Sequence, residues 1–140
     1  MNSTGSQSAD VVCLVDDDAS IRRSITRMLE FNGVKVCAFG EPEVFLAYLS
    51  ANVVRLAILD IRMEPMTGFE LRAHLCTRSP QTRVIFITAQ EDETAELMAK
   101  QAGAYAFFMK PFDANEFLPT VHRALEHSQA DGSAYENQED

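Results

Sequence analysis

The chain has 140 residues, 46% hydrophobic and 24% charged, which suits one folded domain with an ordinary core and argues against global disorder. Its 21 acidic and 12 basic side chains leave a net charge of −9, which disfavours direct nucleic-acid binding because phosphate-backbone contacts run on clustered Lys and Arg. No run approaches the roughly 18 apolar residues of a membrane span and the N-terminus lacks a signal-peptide core, so the expectation is a cytoplasmic protein without a membrane partner.

Residues 1–9 are polar and read as a disordered tail, leaving residues 10–127 as the domain. Residues 11–15 (VVCLV) form the first short apolar run and lead directly into Asp16, Asp17 and Asp18. A helix follows: Ile21, Ile25, Met28 and Leu29 share one face, and Asn32-Gly33 stops it. The second run, residues 34–39, is interrupted by Lys35, as an edge strand permits. Pro42 suits a first helical residue, and the helix it opens groups Val44, Phe45, Tyr48 and Leu49. Residues 56–59 (LAIL) end at Asp60; a helix after Gly68 aligns Leu71 with Leu75 and stops before Pro80.

Residues 84–87 (VIFI) run into Thr88, and a fourth helix spans about 92–102, with Gly103 as its stop. Residues 106–109 (AFFM) run into Lys110. The last helix opens with Asp113 as cap and Glu116 three residues on, with Phe112 and Phe117 placed as a hydrophobic staple. Pro119 lies beyond the first turn of that helix and removes a backbone hydrogen bond, which predicts a kink or a late helix start. Residues 128–140 read as a disordered acidic tail or linker. The three cysteines, Cys13, Cys37 and Cys76, show no CxxC or zinc-ligand spacing and read as free buried thiols of a reducing compartment.

Strand and helix thus alternate five times, which predicts an α/β fold with a parallel sheet and right-handed crossovers. All strand carboxyl ends of such a sheet share one edge, where open α/β folds bind ligands. Asp16, Asp17, Asp60, Thr88 and Lys110 therefore meet on one rim. Carboxylates brought close repel unless a cation joins them, and hard oxygen ligands on a small open site suit Mg²⁺. A carboxylate can attack phosphorus, and phosphoryl transfer needs mainly positioning and neutralised oxygen charge. Lys110, the Thr88 hydroxyl and a metal could each serve one phosphoryl oxygen.

The segments LVDDDASIR, LDIRMEPMTGFEL, VIFITA and AGAYAFFMKPF resemble the signatures of the response-regulator receiver domain, over nearly all of residues 11–127. The resemblance implies a doubly wound, flavodoxin-like five-stranded parallel sheet, order 2-1-3-4-5, with five surrounding helices. It implies Asp60 as the phospho-acceptor and a Mg²⁺ site of Asp60, Asp17 as direct ligand and Asp16 acting mostly through water, completed by the Arg62 backbone carbonyl. Thr88 and Lys110 match the hydroxyl and lysine that contact the phosphoryl group, and Phe107 the aromatic that switches inward. Such a domain takes its phosphoryl group from a histidine kinase or phosphotransfer protein and changes the face of helix 4, strand 5 and helix 5, where homodimers or downstream contacts form. It is not an enzyme in the ordinary sense but assists its own phosphorylation and dephosphorylation. The family also implies a cis candidate at Lys110–Pro111.

The chain departs from the family pattern at Glu64-Pro65, where Pro commonly stands at the first of the two, and Glu64 adds negative charge near the site. Arg62 and Gln90 occupy the variable positions that tune dephosphorylation. Bland roles compete with some of these. Asp18 reads as a helix cap, Phe107 as core or switch, and His74, His122 and His127 as surface side chains. Two other functional classes stand beside the receiver. A phosphohydrolase also uses an aspartate nucleophile, but DIRME lacks the second Asp of DxDx[TV]. An interaction module independent of phosphorylation has no need of Asp17, Asp60, Thr88 and Lys110, while the added charge of Glu64 keeps that reading open. The chain resembles receivers of regulators with helix-turn-helix outputs and reads as a stand-alone receiver or part of a longer regulator.

Overall fold

A computed structural model describes residues 11–89, 93–110 and 112–126 of the chain. The expected tails, Gln90, the fourth helix's first residue, His127 and the Lys110–Pro111 bond lie outside those residues.

The elements are β1 (Val12–Val15), α1 (Ala19–Phe31), β2 (Val36–Phe39), α2 (Pro42–Leu49), β3 (Leu56–Asp60), α3 (Gly68–Arg78), β4 (Arg83–Thr88), α4 (Glu93–Gln101), β5 (Ala106–Met109) and α5 (Ala114–Glu126). All neighbouring strands pair in parallel, in the order β2-β1-β3-β4-β5. The expected fold is therefore the observed one, with β2 at an edge and Lys35 exposed before it.

Alternation along the strands sends side chains to two apolar layers. Cys13, Val15, Ala57, Leu59, Val84 and Phe86 pack against α2, α3 and α4 through Phe45, Leu49, Leu71, Leu75, Ala95 and Ala99. Leu14, Ile58, Ile85 and Ile87 face α1 and α5 through Ile25, Leu29, Phe117, Val121 and Ala124. β1 and β3 are buried along their whole length, so their apolar runs leave the sheet only at its ends. That geometry forces the polar residues following each strand onto one rim.

Local chemistry sets the helix ends. Asp18 caps α1 through Ser20 and Ile21, and α3 opens with a capping box between Thr67 and Glu70. Gly33 and Gly103 take left-handed φ values of +83° and +81° just beyond α1 and α4, as their stop positions require.

Three expectations are corrected. α5 does not start late: it begins at Ala114 and continues through Pro119 to Glu126. The Asp113 carboxylate accepts the Asn115 N–H at 2.9 Å, and Phe112 stacks on Phe117 with ring centroids 4.5 Å apart. Thr120 Oγ1 donates to the Glu116 carbonyl at 3.0 Å. Pro119 and Asn115 are exposed, so the carbonyl that the proline leaves bare lies on the solvent side. Val44 does not join the buried face of α2; it is exposed, while Phe45 and Leu49 are buried. The cysteines are free but unequal, with Cys13 buried, Cys37 half-buried and Cys76 exposed on α3. Burial, with neighbouring Cys37, pushes the Cys13 thiol up to about 12, as an inert core thiol requires. Cys76 sits instead beside Arg72, whose Nη1 lies 2.6 Å from its sulfur.

Candidate functional site

The rim at the strand carboxyl ends gathers the expected side chains. Asp16 follows β1 and is fully buried, whereas Asp17 beside it is exposed. Asp60 closes β3 and is 4% exposed, and Thr88 closes β4 with no exposure. Lys110 follows β5 and reaches across the rim: its Nζ lies 2.9 Å from Asp16 Oδ2 and 3.7 Å from Asp60 Oδ1. One oxygen from each of Asp16, Asp17 and Asp60 lies within 4.8 Å of the others, a set that could hold a metal ion.

Two carboxylates that close repel by about 3.5 kcal/mol at an effective dielectric near 20. A single ammonium therefore cannot neutralise three of them. Asp60 carries the strain. Burial first, then the Asp16 charge, push its carboxyl from the usual 3.8 up to about 7, although Lys110 and the Arg62 N–H pull the other way. The Arg62 N–H donates to Asp60 Oδ1 at 3.4 Å. The Thr88 hydroxyl is buried and has no hydrogen-bond partner among the described residues. A buried unpaired hydroxyl is costly; at the end of β4, next to the acidic rim, it is a donor waiting for an acceptor. The donor set is all hard oxygen, which matches a small divalent cation.

The local backbone explains how Asp60 is held in place. Gly68 opens α3 against the end of β3, and any Cβ there would collide with the Asp60 carbonyl and crowd Ile61. Its N–H donates to the Ile61 carbonyl at 3.0 Å. Met63 tucks into the core, while Glu64 is exposed and joins Pro65 through a cis peptide bond. Glu64 is not one of the three clustered carboxylates. Phe107 is half-buried on the α2–α4 side and Phe108 on the α1–α5 side, so the two rings do face opposite layers. His74 and His122 are exposed on their helices.

One contact at the rim carried no sequence signal. Arg22 Nη1 donates to the main-chain carbonyl of Asp16 at 2.8 Å. Arg22 lies within the DDDASIR stretch, but only a close approach to Gly40, far along the chain, lets it reach back.

A family model for the response regulator receiver domain matches residues 12–122. The chain is 37% identical over 119 residues to the DNA-binding transcriptional regulator NtrC of Salmonella typhimurium, covering 85% of this chain and 25% of that protein. It is 33% identical to nodulation protein W of Bradyrhizobium diazoefficiens, covering 83% of this chain and 51% of that protein. The chain thus spans between about a quarter and a half of the curated relatives it matches. Among solved structures, the FixJ-N crystal structure is 34% identical with a TM-score of 0.76, over 84% of this chain and 94% of that one. The beryllofluoride-activated NtrC4 receiver domain dimer gives 28% identity and a TM-score of 0.80, over 86% of this chain and 99% of that one. The sequence match, the parallel sheet order and the acidic rim agree: this chain belongs to the response regulator receiver domain family, a family of signalling domains.

Proposed function

We propose that the chain accepts a phosphoryl group on Asp60 from a histidine kinase or a phosphotransfer protein, and that this event switches its binding face. The observation that carries the reading is the convergence of three carboxylates, an unpaired buried hydroxyl and an ammonium from four strand ends on one rim. Asp16, Asp17, Asp60 and the Arg62 backbone carbonyl would hold Mg²⁺, which when bound neutralises phosphoryl oxygen charge.

The chain's own residues do the rest. An Asp60 carboxylate oxygen attacks the phosphorus of a phosphohistidine. The new O–P bond forms as the P–N bond breaks, and the departing imidazole keeps the electron pair and takes up a proton. Lys110 moves its charge from the carboxylates towards one phosphoryl oxygen, and the Thr88 hydroxyl donates to another. Drawing Thr88 towards the phosphoryl group opens space beside β4 and β5 that Phe107 can enter. The face of α4, β5 and α5 then changes, a two-state element biased by a local charge event. The NtrC4 receiver solved as a dimer supports homodimer formation by this chain. Hydrolysis of the acyl phosphate at the same rim, beside the exposed Arg62, resets the domain. A histidine-kinase partner implies a cytoplasmic setting, and no helix among the described residues is long and apolar enough to cross a membrane.

Incubation with Mg²⁺ and acetyl phosphate, followed by intact-mass measurement, tests the reading. The expected result is one phosphoryl adduct on the wild-type chain, labile to hydroxylamine and absent from Asp60→Asn. An adduct that survives Asp60→Asn, or none from either acetyl phosphate or a phosphohistidine donor, overturns it. Rapid turnover of varied phosphate esters would point to a hydrolase instead.

A further inference from the structure

Asp16 is held at three acceptor atoms. Oδ1 accepts the Asp18 N–H at 2.9 Å, and Oδ2 accepts Lys110 Nζ at 2.9 Å. The third acceptor, its main-chain carbonyl, takes Arg22 Nη1 at 2.8 Å. The Asp16 N–H meanwhile donates to the Phe39 carbonyl at 3.1 Å, tying the end of β1 to the end of β2. Gly40 follows directly, and a Cβ built there would lie 2.7 Å from Arg22 Nη1 and 3.1 Å from Cζ. The guanidinium therefore occupies the space that any side chain at position 40 would fill.

We infer that Arg22, seated in the notch left by Gly40, is a positioning residue for the acidic cluster: it fixes the β1–α1 turn and so the Asp17 carboxylate. The inference rests on the reading of that cluster as a Mg²⁺-binding phospho-acceptor site. The turn carries two carboxylates that Asp60 repels, and one of them, Asp17, is exposed and free to swing outward. A guanidinium on the Asp16 carbonyl is a charge-assisted hydrogen bond, stronger than a neutral one. It holds the turn in its cluster-forming shape before any cation arrives. Losing a partner of this kind, which orients metal ligands without touching the metal, typically costs about 10–100-fold in metal affinity or activity.

Gly40 supplies a clean probe. What an added methyl meets is the far end of a flexible side chain, so Gly40→Ala displaces the guanidinium while leaving the backbone free of collision. Arg22 is then still present but expelled from its seat.

The experiment titrates Mg²⁺ alone into wild type, Arg22→Ala, Gly40→Ala, the double variant and Arg23→Ala, whose side chain is exposed on α1. Amide exchange at Asp17 and Asp18, thermal melting and the acetyl-phosphate reaction are measured on the same proteins. Arg22→Ala and Gly40→Ala should each weaken Mg²⁺ half-saturation about tenfold and speed amide exchange of the turn. The double variant should lose no more than either single one, and Arg23→Ala should match wild type. The phosphorylation rate at saturating Mg²⁺ should stay close to wild type, separating positioning from chemistry. Wild-type affinity and exchange in either single variant, or additive losses in the double, overturn the inference. If wild type itself takes neither Mg²⁺ nor a phosphoryl group, the phospho-acceptor reading fails, and amide exchange at the turn still decides whether Arg22 holds it.

Discussion

Replacing Asp60 with Asn will stabilise the metal-free protein at neutral pH while abolishing its capacity to accept a phosphoryl group. Burial and the Asp16 charge raise the folded-state carboxyl from 3.8 to about 7. The folded protein thus keeps a proton that the unfolded chain releases. Between about pH 4 and pH 7 the unfolded state binds fewer protons, so stability falls as pH rises through that window. Above pH 7 both states are ionised and the loss is complete; below pH 4 both are protonated and it vanishes. A shift of this size corresponds to a ceiling of about 4 kcal/mol, at roughly 1.4 kcal/mol per pKa unit. Melting curves in EDTA should therefore show Asp60→Asn pulling ahead of wild type from pH 4 to pH 7, then holding a constant lead. Added Mg²⁺ should narrow the lead, because a ligand of the folded state stabilises wild type in proportion to its occupancy. An advantage independent of pH would mean that Asp60 is not under electrostatic strain.

Lys110→Ala will act in the opposite direction. Lys110 is the one ammonium among the described residues shown within 4 Å of Asp16 and Asp60, and Asp16 is fully buried. Removing it leaves an uncompensated buried carboxylate, a defect of about 3–5 kcal/mol. Urea titrations in EDTA should register that loss, and Mg²⁺ should restore part of it. The acetyl-phosphate reaction should slow by roughly 10²–10³, the usual effect of deleting one donor to developing oxygen charge. Adding Asp16→Asn to Lys110→Ala should recover stability without recovering reaction rate. A Lys110→Ala protein as stable as wild type in EDTA would show that the ammonium does not bear on the buried charge.

The rim was legible in the sequence for a definite reason. β1, β3 and β4 are buried along nearly their whole length, so their sequences are unbroken apolar runs that stop where chemistry begins. Asp16, Asp60 and Thr88 stand out because nothing polar precedes them within the run. Asp113 and the Phe112–Phe117 staple were legible as well, since caps act over a few residues. Pro119 suggested a late start that does not occur, because a proline's missing N–H is visible in the sequence and its compensation is not. The stacked staple, the Thr120 hydroxyl and an outward-facing Asn115 carry the helix past it. Val44 and Cys76 were misplaced because an apolar side chain or a thiol on a short helix has no periodicity strong enough to fix its face. The seat of Arg22 beside Gly40 had no signature at all. It depends on how far a long side chain reaches across two loops, and only coordinates supply that distance.

The most direct measurement is anomalous diffraction from crystals grown with Mn²⁺ as a substitute for Mg²⁺. The account predicts one strong peak bonded to carboxylate oxygens of Asp17 and Asp60, with Lys110 Nζ still on the same rim and the Thr88 hydroxyl facing it. A peak elsewhere, or Asp60 turned away from Asp17 in the presence of saturating metal, would contradict it.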